Sequence, residues 1–540
     1  MQLCIRRSNT VRTHFACILR GNICNIYGGH MKNTVSRTDS AWTNLRWSAA
    51  GILFSLIFGS FSRKMFVAVL GREYVGFSSL IGNICALLSL LDFGASGAAI
   101  YSLYEPLAKN DMQTVSRLLA CYRRVCTFSA FATAVAGIAV MPYLPKDVPG
   151  GKNTVCTVFI IYIISNSLSF MFSAERVLIF ADSKNYLAAM FSYACGIPAV
   201  FAEYLLLTAT KSYVAYVIFH AAVSFAEDMA FAVYVRKKYS FINFSEKAQK
   251  GGIFQKLLKE MLYSQPTNIA STLLRTFDNF LVVSLFGVGA NGVYSNYNML
   301  LSYASMLSST LAGAISACVG NLGVCAEKKH SEKVFRALSV GLFFAVNICT
   351  TVLFVMSDDI ITLWLGAALS LPDKVSFSAA FFFFVSGLRK STLIFRDAFG
   401  LYKKERIKPF IELAGFLLLT AIFGKRFGIA GVYLGQALSS FAVCLWYEPR
   451  VLYKYGFHSS VLRHYTLMIK FCTVCAASCF SSFLLCRAIP RFSLRCAVCC
   501  AVPCIFFAAA FWGSDELCEI ISVGKKIFFK QKASKKPISR

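Results

Sequence analysis

Apolar runs of about 20 residues recur from residue 47 to residue 512, separated by short polar stretches. That length crosses the hydrocarbon of a bilayer as an α-helix, and lipid offers no partners for backbone groups, so each crossing segment must satisfy its own. The pattern predicts about 14 spans. The first six fall near 47–70, 77–104, 121–141, 155–180, 186–209 and 212–235, and the next six near 264–286, 293–319, 337–357, 375–400, 407–424 and 428–447. The last two fall near 465–486 and 494–512. No ten-residue alternation suggests a barrel. The fold class expected is an all-α polytopic membrane protein.

The spans group themselves. A lead (1–46) precedes six spans (47–235), and a basic linker (236–263) separates these from a second six (264–447). Two further helices (448–512) and a basic tail (513–540) complete the chain. The lead differs in character from the apolar spans after it, and Met31 is the expected true start. The linker reads as a cytoplasmic loop with an interfacial amphipathic helix at 253–262. An offset of 216 residues lays Phe61, Val67, Gly71, Gly76 and Ser79 over Phe277, Val283, Gly287, Gly292 and Ser295. It matches six spans to six, as in a duplicated bundle whose parallel halves are related by an axis along the membrane normal. The paired glycines suit a tight turn requiring φ > 0.

Composition sharpens this picture. Hydrophobic residues are 57% of the 540, and the mean hydropathy is +0.59. The net charge of +29 would suit a nucleic-acid partner, but no basic stretch forms a soluble module, so none is expected. The excess Lys and Arg instead fall in alternate connections (105–120, 236–263, 320–336, 401–408, 448–464), which places them and both termini in the cytoplasm. The outer connections include 358–374, with Asp358, Asp359 and Asp373. The turns holding Lys425, Arg426, Arg487 and Arg491 disagree with the rule and are outweighed. Many of the 21 cysteines lie inside apolar runs as small hydrophobes. Cys496, Cys499, Cys500 and Cys504 sit in such a run without His or carboxylate, so no metal is expected. No cofactor is expected either.

Charges at membrane depth are costly and need a reason. Arg63 lies about 24 Å along the first span from Trp47. It and Lys64 either face a cavity that attracts an anion or snorkel to headgroups. Asp92 in the second span could pair with an arginine, bind a coupling cation or make a structural hydrogen bond. The seventh span carries Gln265, Asn268, Arg275, Asp278 and Asn279, a polar stripe wider than the ion pair that Arg275 and Asp278 could form alone. Arg389 lies near the midplane of the tenth span, with Arg396 a heptad later. Glu203, Glu227 and Asp228 are further intramembrane carboxylates able to titrate or bind a cation. His220 reads as a packed residue, and His330, His458 and His464 as loop residues. There is no Walker A loop, GxSxG, HExxH or DxD, so the chain is read as a transporter rather than an enzyme.

These residues carry a resemblance. FSRKMFVAVLGREYVGFSSLIGNICALLSLLDFGASGAAIYSLYEPLA from Phe61, GLRKSTLIFRDAFGLYKKERIKPFIELAG from Gly387, GIAGVYLGQALSSF from Gly428 and WYEPRVLYKYGF from Trp446 are similar to bacterial polysaccharide flippases of the Wzx type. Those belong to the multidrug/oligosaccharidyl-lipid/polysaccharide exporter superfamily. The first block is the most specific: an arginine in the first span, the turn Leu70-Gly71-x-Glu73-Tyr74-x-Gly76, and an acid in the second span. That acid is Asp92 where Glu is commoner. The resemblance implies two six-helix bundles around a central cavity in the bacterial inner membrane. It implies alternating access that moves an undecaprenyl-diphosphate-linked oligosaccharide between leaflets, alongside polysaccharide-assembly proteins. Arg63, Lys64, Arg275, Asp278, Asn279, Arg389 and Arg396 become candidate substrate ligands, and Asp92, Glu203, Glu227 and Asp228 candidate ion-coupling groups. The competing readings are a drug/cation antiporter of the same superfamily and a membrane enzyme such as an oligosaccharide polymerase.

Overall fold

The computed structural model describes residues 46–519, apart from 48, 93–94, 146–149, 183, 241–252 and 326–327. The Met31 expectation, most of the linker and the end of the tail lie outside the described residues, as do the side chains of Gln265 and Asn268. Among the described residues every regular element is a helix. The first half comprises α1 (Ala49–Leu70), α2 (Arg72–Leu88), α3 (Ala95–Ala108), α4 (Met112–Val140), α5 (Gly151–Phe170), α6 (Ser173–Ala181), α7 (Tyr186–Thr210) and α8 (Tyr213–Lys238). The second comprises α9 (Ile253–Phe286), α10 (Val288–Cys325), α11 (Lys328–Leu365), α12 (Asp373–Ala398), α13 (Lys408–Phe427) and α14 (Ile429–Val451). Two more, α15 (Leu462–Arg487) and α16 (Phe492–Phe511), complete the bundle. Twelve helices among the described residues are long and apolar enough to cross a membrane. The chain is a multi-pass membrane protein. α10 and α13 occupy the two remaining expected spans; Lys408, Glu412, Lys425 and Arg426 dilute the apolarity of α13.

Some expected boundaries shift for local reasons. The second span breaks after Leu88 into a 3-10 turn, Ser89–Asp92, before α3 resumes. The expected span at 155–180 is two helices, α5 and α6, parted at Met171 and Phe172. The expected interfacial helix at 253–262 and the span after it are one continuous α9. The outer connection 358–374 is shorter than expected, because α11 runs to Leu365. Asp358 and Asp359 are held in α11, and Asp373 opens α12: Ser376 donates to Asp358 at 2.8 Å, and Asp359 pairs with Arg495 at 2.6 Å. His464 is not a loop residue; it is buried in the first turn of α15 against Phe335 and Tyr453.

The duplicated glycines are the pivots of the fold. Gly71 ends α1 at φ +87°, and Gly287 ends α9 at φ +85°, a region open to glycine at no steric cost. Successive spans reverse direction, so these two turns share one end of the bundle, here the Gly71 end. The opposite end carries the basic linker. α15 and α16 pack on α11 through aromatic rings, with Phe343 and Phe471 stacked at 4.2 Å and Phe511 against both.

Helix starts show ordinary capping chemistry. Asp111 precedes α4 and accepts from the Thr114 amide at 3.0 Å and the Thr114 hydroxyl at 2.6 Å. Those bonds favour its charged form and hold its carboxyl below the usual range. A depressed carboxyl contributes stability above its ordinary value and loses it as pH falls through the folded value. Asp111→Ala should therefore lower the melting temperature at neutral pH. Thermal melts should show the gap to the parent closing as acid protonates the parent's carboxyl.

Candidate functional site

The two halves meet along α2 and α10, and glycine permits the contact. A Cβ on Gly76 would stand 2.0 Å from the Val288 carbonyl oxygen, and one on Gly292 would stand 2.0 Å from that of Arg72. Hydrogen bonds close the crossing: Asn291 donates to the Gly76 carbonyl at 2.8 Å, and Ser79 donates to Asn279 at 3.1 Å. The glycines matched by the 216-residue offset thus lie against one another across the seam.

Arg63 points into this seam. Its Nε donates to Asn296 Oδ1 at 2.9 Å and its Nη2 to Ser295 Oγ at 2.5 Å, both on α10. Ser295 in turn donates to the Gly292 carbonyl at 2.9 Å, which leaves its lone pair for the guanidinium. Tyr216 and Tyr303 stand beside the cation. No carboxylate pairs with Arg63 among the described residues, and its Nη1 donates to none of them. The buried Asn296 Nδ2 also lacks an acceptor among the described residues. A positive charge and an unmatched donor at one place fit an anionic ligand with several oxygens.

The backbone of α1 is shaped to this contact. Ser55–Gly59 forms a π-turn, an irregularity that exposes carbonyls. Tyr303 donates to the Ser55 carbonyl at 2.9 Å, and Trp364 Nε1 donates to that of Ser60 at 2.9 Å. Both donors belong to the second half, so α1 is bonded to it between Ser55 and Arg63. Lys64, one residue after Arg63, is exposed.

The seventh expected span behaves otherwise than as one stripe. Asp278 is buried and accepts from Tyr294 at 2.8 Å and from the Asn279 amide at 2.7 Å, while Tyr433 donates to the neighbouring Asn298 at 2.8 Å. Arg275 is exposed and makes no ion pair with Asp278. The Asp278 carboxylate is therefore held by neutral donors.

Arg389 sits inside the second half. Its Nη1 meets Glu412 at 2.6 Å and its Nη2 meets Glu448 at 2.7 Å, while Lys408 also donates to Glu448. Ser440 donates to Glu412 at 2.5 Å. This network ties α12, α13 and α14 together, and it neutralises a guanidinium expected from sequence to be a substrate ligand. Arg396 is likewise occupied, by Asp397 at 2.8 Å and Glu405 at 3.1 Å. Arg63 and Arg389 share no partner among the described residues. Glu412, Glu448 and Lys408 were not singled out from sequence: Glu412 interrupts an apolar run, whereas Lys408 and Glu448 fall at the edges of the basic connections 401–408 and 448–464. Lys390 was also passed over; it donates to the Ser305 carbonyl at 3.2 Å and to the Ser308 and Ser309 hydroxyls of α10.

The remaining acids have local partners. Asp92 accepts from the Ser96 amide at 3.2 Å, the structural hydrogen bond, and pairs with no arginine among the described residues. Arg176 pairs with Asp228 at 2.5 Å and with Glu227 at 3.6 Å, and Ser192 donates to Glu227 at 2.6 Å. Glu203 is buried and meets His220 Nδ1 at 2.8 Å, so His220 is a polar partner rather than a packed ring.

No family model and no curated protein matches the sequence. The fold has solved counterparts. The lipid II flippase MurJ in an inward closed conformation superposes with a TM-score of 0.63 at 15% identity, over 86% of this chain and 98% of that one. An inward-facing multidrug resistance MATE family transporter of the MOP superfamily gives 0.60 at 10% identity, over 75% and 98%. The Vibrio cholerae MATE transporter VcmN in its bent form gives 0.55 at 12%, over 77% and 98%. The chain has the fold of MOP-superfamily transporters.

Proposed function

We propose that this protein moves an undecaprenyl-diphosphate-linked oligosaccharide across the bacterial inner membrane by alternating access, with both termini and the basic linker in the cytoplasm. One observation carries the reading: Arg63 is a guanidinium at membrane depth, on the seam between the halves, with only neutral partners. A cation so placed is costly unless a mobile anion completes it. A diphosphate offers the oxygens that its fork and Asn296 lack. The likeness in fold to a lipid II flippase supports a lipid-linked cargo.

A second reading, drug or cation antiport, draws on Asp278, a buried carboxylate with no cation partner among the described residues, and on the likeness in fold to MATE transporters. The two separate in one experiment. The purified chain in nanodiscs is titrated with undecaprenyl diphosphate and with a lipophilic cation, rhodamine 6G. The flippase reading expects the diphosphate to bind, and Arg63→Ala to weaken it roughly 10–100-fold, the loss of two charge-assisted hydrogen bonds. Diphosphate binding equal in parent and Arg63→Ala, with rhodamine binding lost in Asp278→Asn, would hand the protein to the antiporter reading.

A further inference from the structure

α10 presents a row of polar side chains to one side. Ser295, Asn298, Ser302, Ser305 and Ser309 are spaced by three, four, three and four residues, which keeps them on one helix face. Ser302 and Ser309 are exposed. Two cations reach this helix, one from each half: Arg63 of α1 to Ser295 and Asn296, and Lys390 of α12 to Ser305, Ser308 and Ser309.

Their depths differ. Arg63 lies seven residues, about 10 Å, from the Gly71 end of its helix. Lys390 lies eight residues, about 12 Å, from the opposite end of its own. Their contacts on α10 are about 15–20 Å apart along the axis. In a hydrocarbon layer about 30 Å thick the two cations therefore stand on either side of the midplane. Lys390, like Arg63, has no carboxylate partner among the described residues. Its neighbour Arg389 takes Glu412 and Glu448, so the acids of this region are already engaged.

We propose that Lys390 and the Ser305–Ser309 stretch of α10 form a second phosphate-binding station, and that a lipid-borne phosphate crosses the membrane by passing between it and Arg63 along this face. The inference rests on the flippase reading and adds where the anion waits on the linker side. Ser305 and Ser309 can donate to a phosphate oxygen in transit, Ser302 can do so by releasing the Asn298 carbonyl it now bonds at 2.8 Å, and each cation holds the charge at one depth.

The test uses the full chain in nanodiscs, with undecaprenyl diphosphate as probe and the uncharged alcohol undecaprenol as control. The parent should prefer the diphosphate. Lys390→Met should weaken diphosphate binding about tenfold and leave the alcohol unchanged, and Lys390→Arg should restore most of it. Lys390→Gln discriminates a staple from an anion site. Its amide can still bond to the α10 hydroxyls, so a staple would recover, whereas an anion site lacks its charge and stays weak. Recovery in Lys390→Gln, or parental affinity in Lys390→Met while Arg63→Met is impaired, overturns the second station and leaves the flippase reading standing. A parent that shows no preference for the diphosphate over the alcohol removes both.

Discussion

Gly292→Leu is expected to hold the two halves apart at the Gly71 end and to stop transport. A Cβ at residue 292 would stand 2.0 Å from the Arg72 carbonyl oxygen and 3.0 Å from its carbon, and both are backbone atoms that cannot swing away. Leucine adds three more carbons in the same direction. Forcing atoms into a packed contact costs about 1–3 kcal/mol even where neighbours relax, and a helix crossing relaxes by separating. Separation would also stretch the bonds from Asn291 to Gly76, from Ser79 to Asn279 and from Arg63 to Ser295. Spin labels at Lys211 and Lys374, exposed positions at this end in opposite halves, should report a longer distance in the variant. Gly82 is the control. It lies in the same α2 helix with nothing within 4 Å of a built Cβ, so Gly82→Leu should leave the distance unchanged. An unchanged distribution in the Gly292 variant would mean that the halves do not close through this crossing.

That crossing explains why the architecture could be read in the sequence and the chemistry only partly. Helix positions follow from apolar length, a property each run carries by itself, and the runs near 47–70, 186–209 and 375–400 coincide with α1, α7 and α12. The duplicated glycines were visible because a positive φ and a close approach restrict the residue type. Their sequence signal suggested a turn, and Gly71 and Gly287 are turns. Gly76 and Gly292 are something a sequence does not display, a pair that meets across 216 residues of chain.

Ionic partnership was the illegible part. Arg63 and Arg389 look alike in sequence, each a guanidinium inside an apolar run. What separates them is whether another helix brings a carboxylate: α13 and α14 bring Glu412 and Glu448 to Arg389, and α10 brings only Ser295 and Asn296 to Arg63. Arg275 and Asp278 mislead in the opposite sense. Their spacing of three permits an ion pair, yet Asp278 turns to Tyr294 while Arg275 stays exposed. His220 needed a partner from α7 before its role could be told from that of a packed ring.

The charge network around Arg389 should then behave as structure, and Glu448→Ala should be its most damaging single change. Glu448 is 1% exposed and holds both Arg389 and Lys408. Glu412 makes a core of two cations and two anions, and Glu405 stands 3.9 Å from Lys408 at its edge. Removing Glu448 leaves the buried Lys408 with only Glu405, 3.9 Å away and shared with Arg396, and breaking a buried pair from one side costs about 3–5 kcal/mol. Set against a typical stability of about 5–15 kcal/mol, that is enough to deplete folded protein from membranes. Size-exclusion profiles and thermal melts of detergent-solubilised protein should show little monodisperse material and a much lower melting temperature. Charge balance predicts the rescue. Glu448→Gln combined with Lys408→Met removes one charge of each sign, keeps the side-chain volumes, and leaves Arg389 with Glu412 and the amide oxygen. The double variant should recover most of the parental melting temperature, whereas Glu448→Gln alone should recover less. Parental stability in Glu448→Ala would place this carboxylate outside the framework and return Arg389 to the pool of cations available to a ligand.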